Sequence, residues 1–229
     1  MGNQQTDLSW RETAQGAVPI ATQFDDPYYS LENGLAETHH VFIAGNNLPD
    51  RFGQDLRVAE LGFGTGLNFL ALVQAIHASD TAGTVHFTSF EGFPLTITQA
   101  RAALSAFPDI AALTTPLLEI WDDAMRGPSE YAPGIVLEVI TGDSRETLPK
   151  WAGQADAWFL DGFSPAKNPE MWEPDLLQAV GAHTRPCGTL ATFTAAGHVR
   201  RALGAAGFEI TRVPGFGRKR HMTTGVKTG

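Results

Sequence analysis

From Arg57 onward the apolar and polar positions alternate in blocks, and the blocks read as strands separated by helices. Residues 57–61 form a short apolar run without alternation, which predicts a strand buried on both faces. A glycine turn over Gly62–Gly66 and an apolar helix over Leu67–Ala78 follow it. Residues 85–91 predict a second strand, with helices over 95–106 and 109–118, and residues 135–143 a third strand with a short helix near Arg145–Trp151. Residues 157–161 predict a fourth strand, and the helix beyond starts at Pro174, whose missing N–H costs nothing in a first turn. Strand 188–194, helix Gly197–Ala206 and strands near Phe208–Val213 and His221–Val226 complete the series. Pro214, Gly215 and Gly217 between the last two suggest an antiparallel hairpin. Strands alternating with helices specify an α/β fold, a doubly wound and mostly parallel sheet with helices on both faces. Residues 1–55 have turn signals but no clean alternation and read as an extension packed on a domain spanning 56–229.

Composition changes this picture little. The 229 residues are 43% apolar and 18% charged, as in ordinary globular proteins. The start lacks the basic-then-apolar pattern of a secretion signal, and no run of about 18 apolar residues offers a membrane span, so a cytoplasmic protein is expected. The single Cys187 excludes an internal disulfide and a multi-cysteine metal site. Charge adds more. The net charge is −9, but residues 1–180 hold 24 acids and 8 bases, whereas 181–229 hold Glu209 and 8 bases. A basic tail on an acidic body leaves room for a polyanionic partner, because local potential does the steering.

The chemistry begins at the first strand-to-helix turn. Gly62, Gly64 and Gly66 alternate immediately after a strand, where glycine permits positive φ and close approach of a ligand to the backbone. The turn lacks the Lys-Ser/Thr of a phosphate loop, and Leu67 stands where a dinucleotide fingerprint needs its third glycine. Glu60, Glu91 and Asp143 end the first three strands, at the edge where open α/β sheets bind ligands. Glu91 suits ribose hydroxyls, Asp143 an adenine amino group, and Glu60 an ammonium such as the amino-acid end of S-adenosylmethionine. Asp161 ends the fourth strand among Gly162, Phe163, Pro165, Asn168, Pro169 and Trp172, a setting for a planar ring bearing an amine. The adjacent His39 and His40 have poor spacing for a metal, Ser164 is in no nucleophile elbow, and no metal site is expected.

Six blocks, residues 24–42, 60–72, 87–96, 158–172, 188–203 and 215–222, resemble the methyltransferase domain of the bacterial MnmC/MnmD family. The resemblance implies a class I, Rossmann-like methyltransferase. Such an enzyme uses S-adenosylmethionine to methylate the 5-aminomethyl group of the tRNA wobble uridine, giving 5-methylaminomethyl-(2-thio)uridine. It places Glu60, Gly62, Phe63, Gly64, Thr65, Gly66 and Asn68 in the cofactor turn, with Glu91 at the ribose, Asp143 on the adenine side and Asp161 at the reacting amine. Phe24, Asp25, Tyr28 and Tyr29 become a lid, and Phe163, Pro165, Lys167 and Asn168 a substrate wall. Arg218, Lys219 and Arg220, with Arg200 and Arg201, are candidate contacts to anticodon-loop phosphates. Bifunctional family members continue into an FAD-dependent oxidoreductase. With no flavin motif here, the chain is expected to resemble the stand-alone form, with a separate oxidoreductase as an optional partner. Two departures are visible: Cys187 stands where a glycine is expected, and His221 where an acid is more usual.

The nucleophile must be a neutral amine, and for an amine of lysine-like pKa, about 10.4, losing the proton costs about 4 kcal/mol near neutral pH. Asp161 is therefore expected to orient the amine and accept its proton, with aromatic walls supplying desolvation. A small-molecule amine methyltransferase or aminopropyltransferase would share the fold and the acids but have no use for the basic tail. A non-catalytic nucleotide-binding subunit of an oxidoreductase would keep the glycine turn without needing Asp161 in its aromatic setting.

Overall fold

A computed structural model describes residues 7–13, 16–79 and 83–229, so part of the stretch read for a leader lies outside the described residues. Strands β1 (Leu8–Thr13), β2 (Gly16–Ala21) and β3 (Asp26–Pro27) make a small antiparallel sheet, followed by α1 (Gly34–Thr38), which continues as a wider helical turn over His39–Ala44. The segment thus carries strands and a helix that no clean alternation along the chain announced. β1 is mostly exposed and polar, so it carries no apolar period to detect.

The main sheet is built from β4 (Leu56–Leu61), β5 (Val85–Glu91), β6 (Ser129–Ala132), β7 (Ile135–Thr141), β8 (Ala155–Leu160), β9 (Thr184–Thr192), β10 (Phe208–Pro214) and β11 (His221–Lys227). Its helices are α2 (Leu67–His77), α3 (Ile97–Leu104), α4 (Ala111–Glu119), α5 (Trp121–Ala124), α6 (Ser144–Thr147), α7 (Pro174–Ala182) and α8 (Gly197–Ala205). The order is β10-β11-β9-β8-β4-β5-β7-β6, with β9, β8, β4, β5 and β7 parallel and the edges antiparallel. The short edge strand β6 had no counterpart in the sequence reading, and Asp143 lies two residues beyond β7 as the cap of α6 instead of ending the strand.

Successive residues in the central strands enter opposite cores. Val58, Phe87, Ala157 and Phe159 pack with α2 and α4, whereas Ala59, Leu61, Trp158 and Leu160 pack with α7 and α8. Both sides are covered, which explains the unalternated apolar runs. From β4 the chain builds outward through β5 and β7 on one side, then returns to add β8 and β9 on the other. The crevice where that direction reverses, beyond the carboxyl ends of β4 and β8, is where such sheets bind ligands.

The two departures in sequence have a structural counterpart. Ala155 pairs with Thr184 and Ala157 with Thr189, so residues between them bulge out of β9. Cys187 sits in that bulge with φ +62°, a left-handed backbone that favours glycine. His221 opens β11 with its pKa lowered by desolvation and by Arg212, Arg220 and Arg200, a setting in which an acid would find partners.

Candidate cofactor and substrate site

A cavity of about 810 Å³ opens at the reversal crevice. Its floor is the first part of the glycine turn, Gly62 to Thr65, and Gly62, Gly64 and Gly66 have φ +85°, +52° and +79°. A Cβ on Gly62 would lie 3.2 Å from the Gly162 Cα, so the turns after β4 and β8 touch backbone to backbone. Gly64 is pressed from above, where a Cβ would lie 3.0 Å from a ring carbon of Tyr28. Gly66 packs toward Leu117 and does not line the cavity.

Glu91 ends β5 beneath this turn. The Gly64 N–H donates to its Oε2 at 2.8 Å and the Phe93 N–H to its Oε1 at 2.6 Å. Burial raises its pKa and these N–H groups oppose the shift. The Phe63 and Gly92 N–H groups also oppose the shift, and Glu91 lines the cavity, where its carboxylate can accept from a hydroxyl.

The other acids converge on one amide. Asn68, in the first turn of α2, donates through Nδ2 to Glu60 Oε1 at 2.8 Å and to Asp161 Oδ2 at 2.7 Å. Thr38 Oγ1 donates to Asn68 Oδ1 at 2.8 Å and fixes the amide orientation. Ser89 Oγ donates to Glu60 Oε2 at 2.7 Å. Glu60 is fully buried and does not line the cavity, which corrects its expected contact with a ligand ammonium: it reaches the site only through Asn68. Burial lifts the pKa of Glu60 well above the ordinary range, against the hydrogen bonds of Ser89 and Asn68. Asp161 does face the cavity. Burial raises its pKa to about 6, opposed by the Asn68 amide and the Gly162 N–H. Thr38 and Ser89 escaped the sequence reading, because an isolated hydroxyl carries no pattern until the chain folds around it.

Asp143 lines the cavity, but Arg145 grips both of its oxygens, with Nη2 2.6 Å from Oδ2 and Nε 3.1 Å from each. The Arg145 hydrogen bond holds that carboxyl below its ordinary range. The sequence reading missed Arg145 as the partner of Asp143.

The N-terminal segment closes the site. Phe24 stacks on Phe163 with centroids 4.6 Å apart, and Tyr28 meets the same ring edge-on at 5.3 Å. Asp26 accepts the Ser164 N–H at 2.8 Å, and Lys167 Nζ is 2.7 Å from Asp25. Phe63, Thr65, Tyr29, Lys167, Asn168, Arg218 and Lys219 also line the cavity. Asp25, Pro165, Arg200 and Arg220 do not: Asp25 is expected in the lid, and Arg200 and Arg220 at substrate phosphates rather than in the cavity wall. Phe93, Phe193 and Glu37 do, although none was singled out from sequence.

Residues 108–228 match the profile of an S-adenosyl-L-methionine-dependent methyltransferase family. The chain belongs to that family. The tRNA 5-methylaminomethyl-2-thiouridine biosynthesis bifunctional protein MnmC of Aeromonas hydrophila is 44% identical across 96% of this chain. The chain covers 35% of that relative, about a third of its length. Among solved structures, MnmC2 from Aquifex aeolicus superposes with a TM-score of 0.80 at 23% identity, covering 99% of this chain and 72% of that one, a likeness of fold.

A methyltransferase of this family uses S-adenosyl-L-methionine, and the residues present fit it. The turn brings the backbone to the cavity floor, Glu91 can accept from a hydroxyl, and aromatic rings enclose the far wall. No cluster of three or more metal-ligating side chains occurs among the described residues, and none of their helices is long and apolar enough to cross a membrane.

Proposed function

We propose that this methyltransferase acts on the primary amine of a 5-aminomethyl group at the tRNA wobble uridine, giving the methylamino product. The observation that carries this reading is Asp161, a carboxylate oriented by Asn68 at the edge of an aromatic-walled cavity beside the glycine turn. The 44% identity to MnmC across nearly the whole chain supports the substrate class.

When bound, S-adenosyl-L-methionine supplies an electrophilic methyl group on a sulfonium. The chain's own residues supply position and proton management. Glu91 and the backbone at Gly62–Gly64 hold the nucleoside part, and Asp143 the adenine side. Phe24, Tyr28 and Phe163 exclude water and desolvate the amine, which lowers its pKa. Asp161 accepts the proton. Its pKa of about 6 narrows the gap to an amine of about 10.4 from about 6.5 to about 4.5, easing transfer. Asn68 holds that carboxylate in place throughout.

In this reading residues 1–55 form the lid of a domain spanning 56–229, and the target base leaves its stack to enter the cavity. The relative is bifunctional and this chain spans a third of it. An FAD-dependent oxidoreductase that generates the amine is therefore the proposed partner, on the same or another chain, in the cytoplasm.

The test combines the protein, radiolabelled S-adenosyl-L-methionine and tRNA from a strain lacking this methylation, followed by nucleoside analysis. Label in 5-methylaminomethyl-(2-thio)uridine supports the reading. Cofactor binding without labelled tRNA overturns it and brings forward a small-molecule amine substrate.

A further inference from the structure

The loop from β10 to β11 carries three consecutive cations, and two are held by acids of the N-terminal segment. Arg218 Nε is 2.7 Å from Glu32 Oε1, and Lys219 Nζ is 2.8 Å from Glu37 Oε1. The surroundings of the two pairs differ. The Arg218 side chain is 92% exposed, whereas that of Glu37 is only 12% exposed. Lys219 Nζ also lies 4.3 Å from the centroid of the Phe193 ring. Glu37, Phe193 and Lys219 line the same cavity as Asp161, and the Asp161 carboxyl responds to both charges, raised by Glu37 and lowered by Lys219.

The protein therefore seats a primary ammonium of its own against a shielded carboxylate and an aromatic face, beside the candidate proton acceptor. A carboxylate with a ring face is a cradle for an ammonium ion. A lysine head group and a protonated aminomethyl group are the same chemical entity, a primary alkylammonium. We propose that Glu37 and Phe193 form the subsite for the substrate's amine, and that Lys219 is its resident stand-in, displaced to a substrate phosphate when the base enters. This rests on, and deepens, the function proposed above. Without a substrate, Lys219 offsets the repulsion between Glu37 and Asp161. Its side chain is 46% exposed on a hairpin loop, and its flexible four-carbon stem can carry the charge outward to the polyanion. Glu37 then receives the substrate group as an ammonium in place of Lys219, and that ammonium's proton passes to Asp161 before the neutral amine attacks.

The competing possibility is a clip, in which the ion pair only fastens the loop to α1. Steady-state methylation of hypomodified tRNA by wild type, Glu37→Gln, Lys219→Met and the double variant separates the two. It would be measured across a salt series, with cofactor affinity and melting temperature recorded for each protein. The proposal expects Glu37→Gln to lower kcat/KM at least tenfold at every salt concentration, with cofactor affinity unchanged. It expects Lys219→Met to flatten the slope of log(kcat/KM) against log[salt] by about 0.7 to 0.9, the loss of one phosphate contact. Equal losses in both single variants, with the double no worse than either, would make the pair a clip and overturn the proposal; so would a harmless Glu37→Gln. Wild type that leaves this tRNA unlabelled fails the underlying reading, a result distinct from any pattern among the variants.

Discussion

Replacing Asp161 with Asn should stabilise the protein while abolishing most of its turnover. In the folded chain, burial moves the Asp161 carboxyl from an ordinary 3.8 to about 6. A carboxyl that binds its proton more tightly when folded has full stability below the unfolded pKa. It loses stability as pH rises from about 3.8 to about 6, because the unfolded state ionises first. Above that window the charged carboxylate costs the native state about 3 kcal/mol. That figure is an upper limit, since Asp161 opens onto the cavity and water there weakens the penalty. Asparagine keeps the shape and an oxygen that accepts from Asn68, but removes the charge. Thermal melts of both proteins from pH 4 to pH 8 read the difference directly. The curves should converge near pH 4 and separate toward pH 7, with the variant melting higher by several degrees, at about 2 to 4 °C per kcal/mol for a chain of this size. Methyl transfer should fall at least tenfold, with cofactor affinity near wild type. A variant that melts lower at every pH would refute the argument that burial penalises this charge. Retained turnover would remove Asp161 as the proton acceptor.

Three further outcomes follow from other residues. Asn68→Asp removes the amide that serves Glu60 and Asp161 and adds a third carboxyl, so it should destabilise by about 2 to 5 kcal/mol and push the Asp161 pKa above about 6; denaturant unfolding and an alkaline shift of the acid limb of the pH–rate profile check it. Gly64→Ala combines a left-handed backbone strain of about 1 to 2 kcal/mol with a contact at 3.0 Å against Tyr28. Calorimetric titration should show weaker cofactor binding, and unchanged binding would mean the lid yields freely. Cys187→Gly relieves the φ of +62° in the β9 bulge and should raise stability by about 1 kcal/mol without touching activity; a lower melting temperature would show that the thiol's own contacts outweigh the strain.

What the chain alone determined is the part that local pattern can carry. Unalternated apolar runs such as 157–160, Pro174 at a helix start and the alternating glycines after β4 are each set by short-range sterics and by burial on two faces, so they were legible before any fold was known. Glu91 and Asp161 were legible as strand-end acids for the same reason: the strand end fixes where the next residue points. The tertiary structure decided the rest. β11 inserts between β9 and β10, an order no local signal encodes, because strand neighbours are chosen by long-range hydrogen bonding. Glu60 and Asp161 look alike as strand-end acids, yet Asn68 and Ser89 bury one and leave the other facing the cavity. Glu37, 182 residues from Lys219 along the chain, finds it only because the sheet brings α1 beside the final hairpin. Charge, burial and proton affinity are properties of assembled neighbours, and those neighbours exist only once the chain has closed.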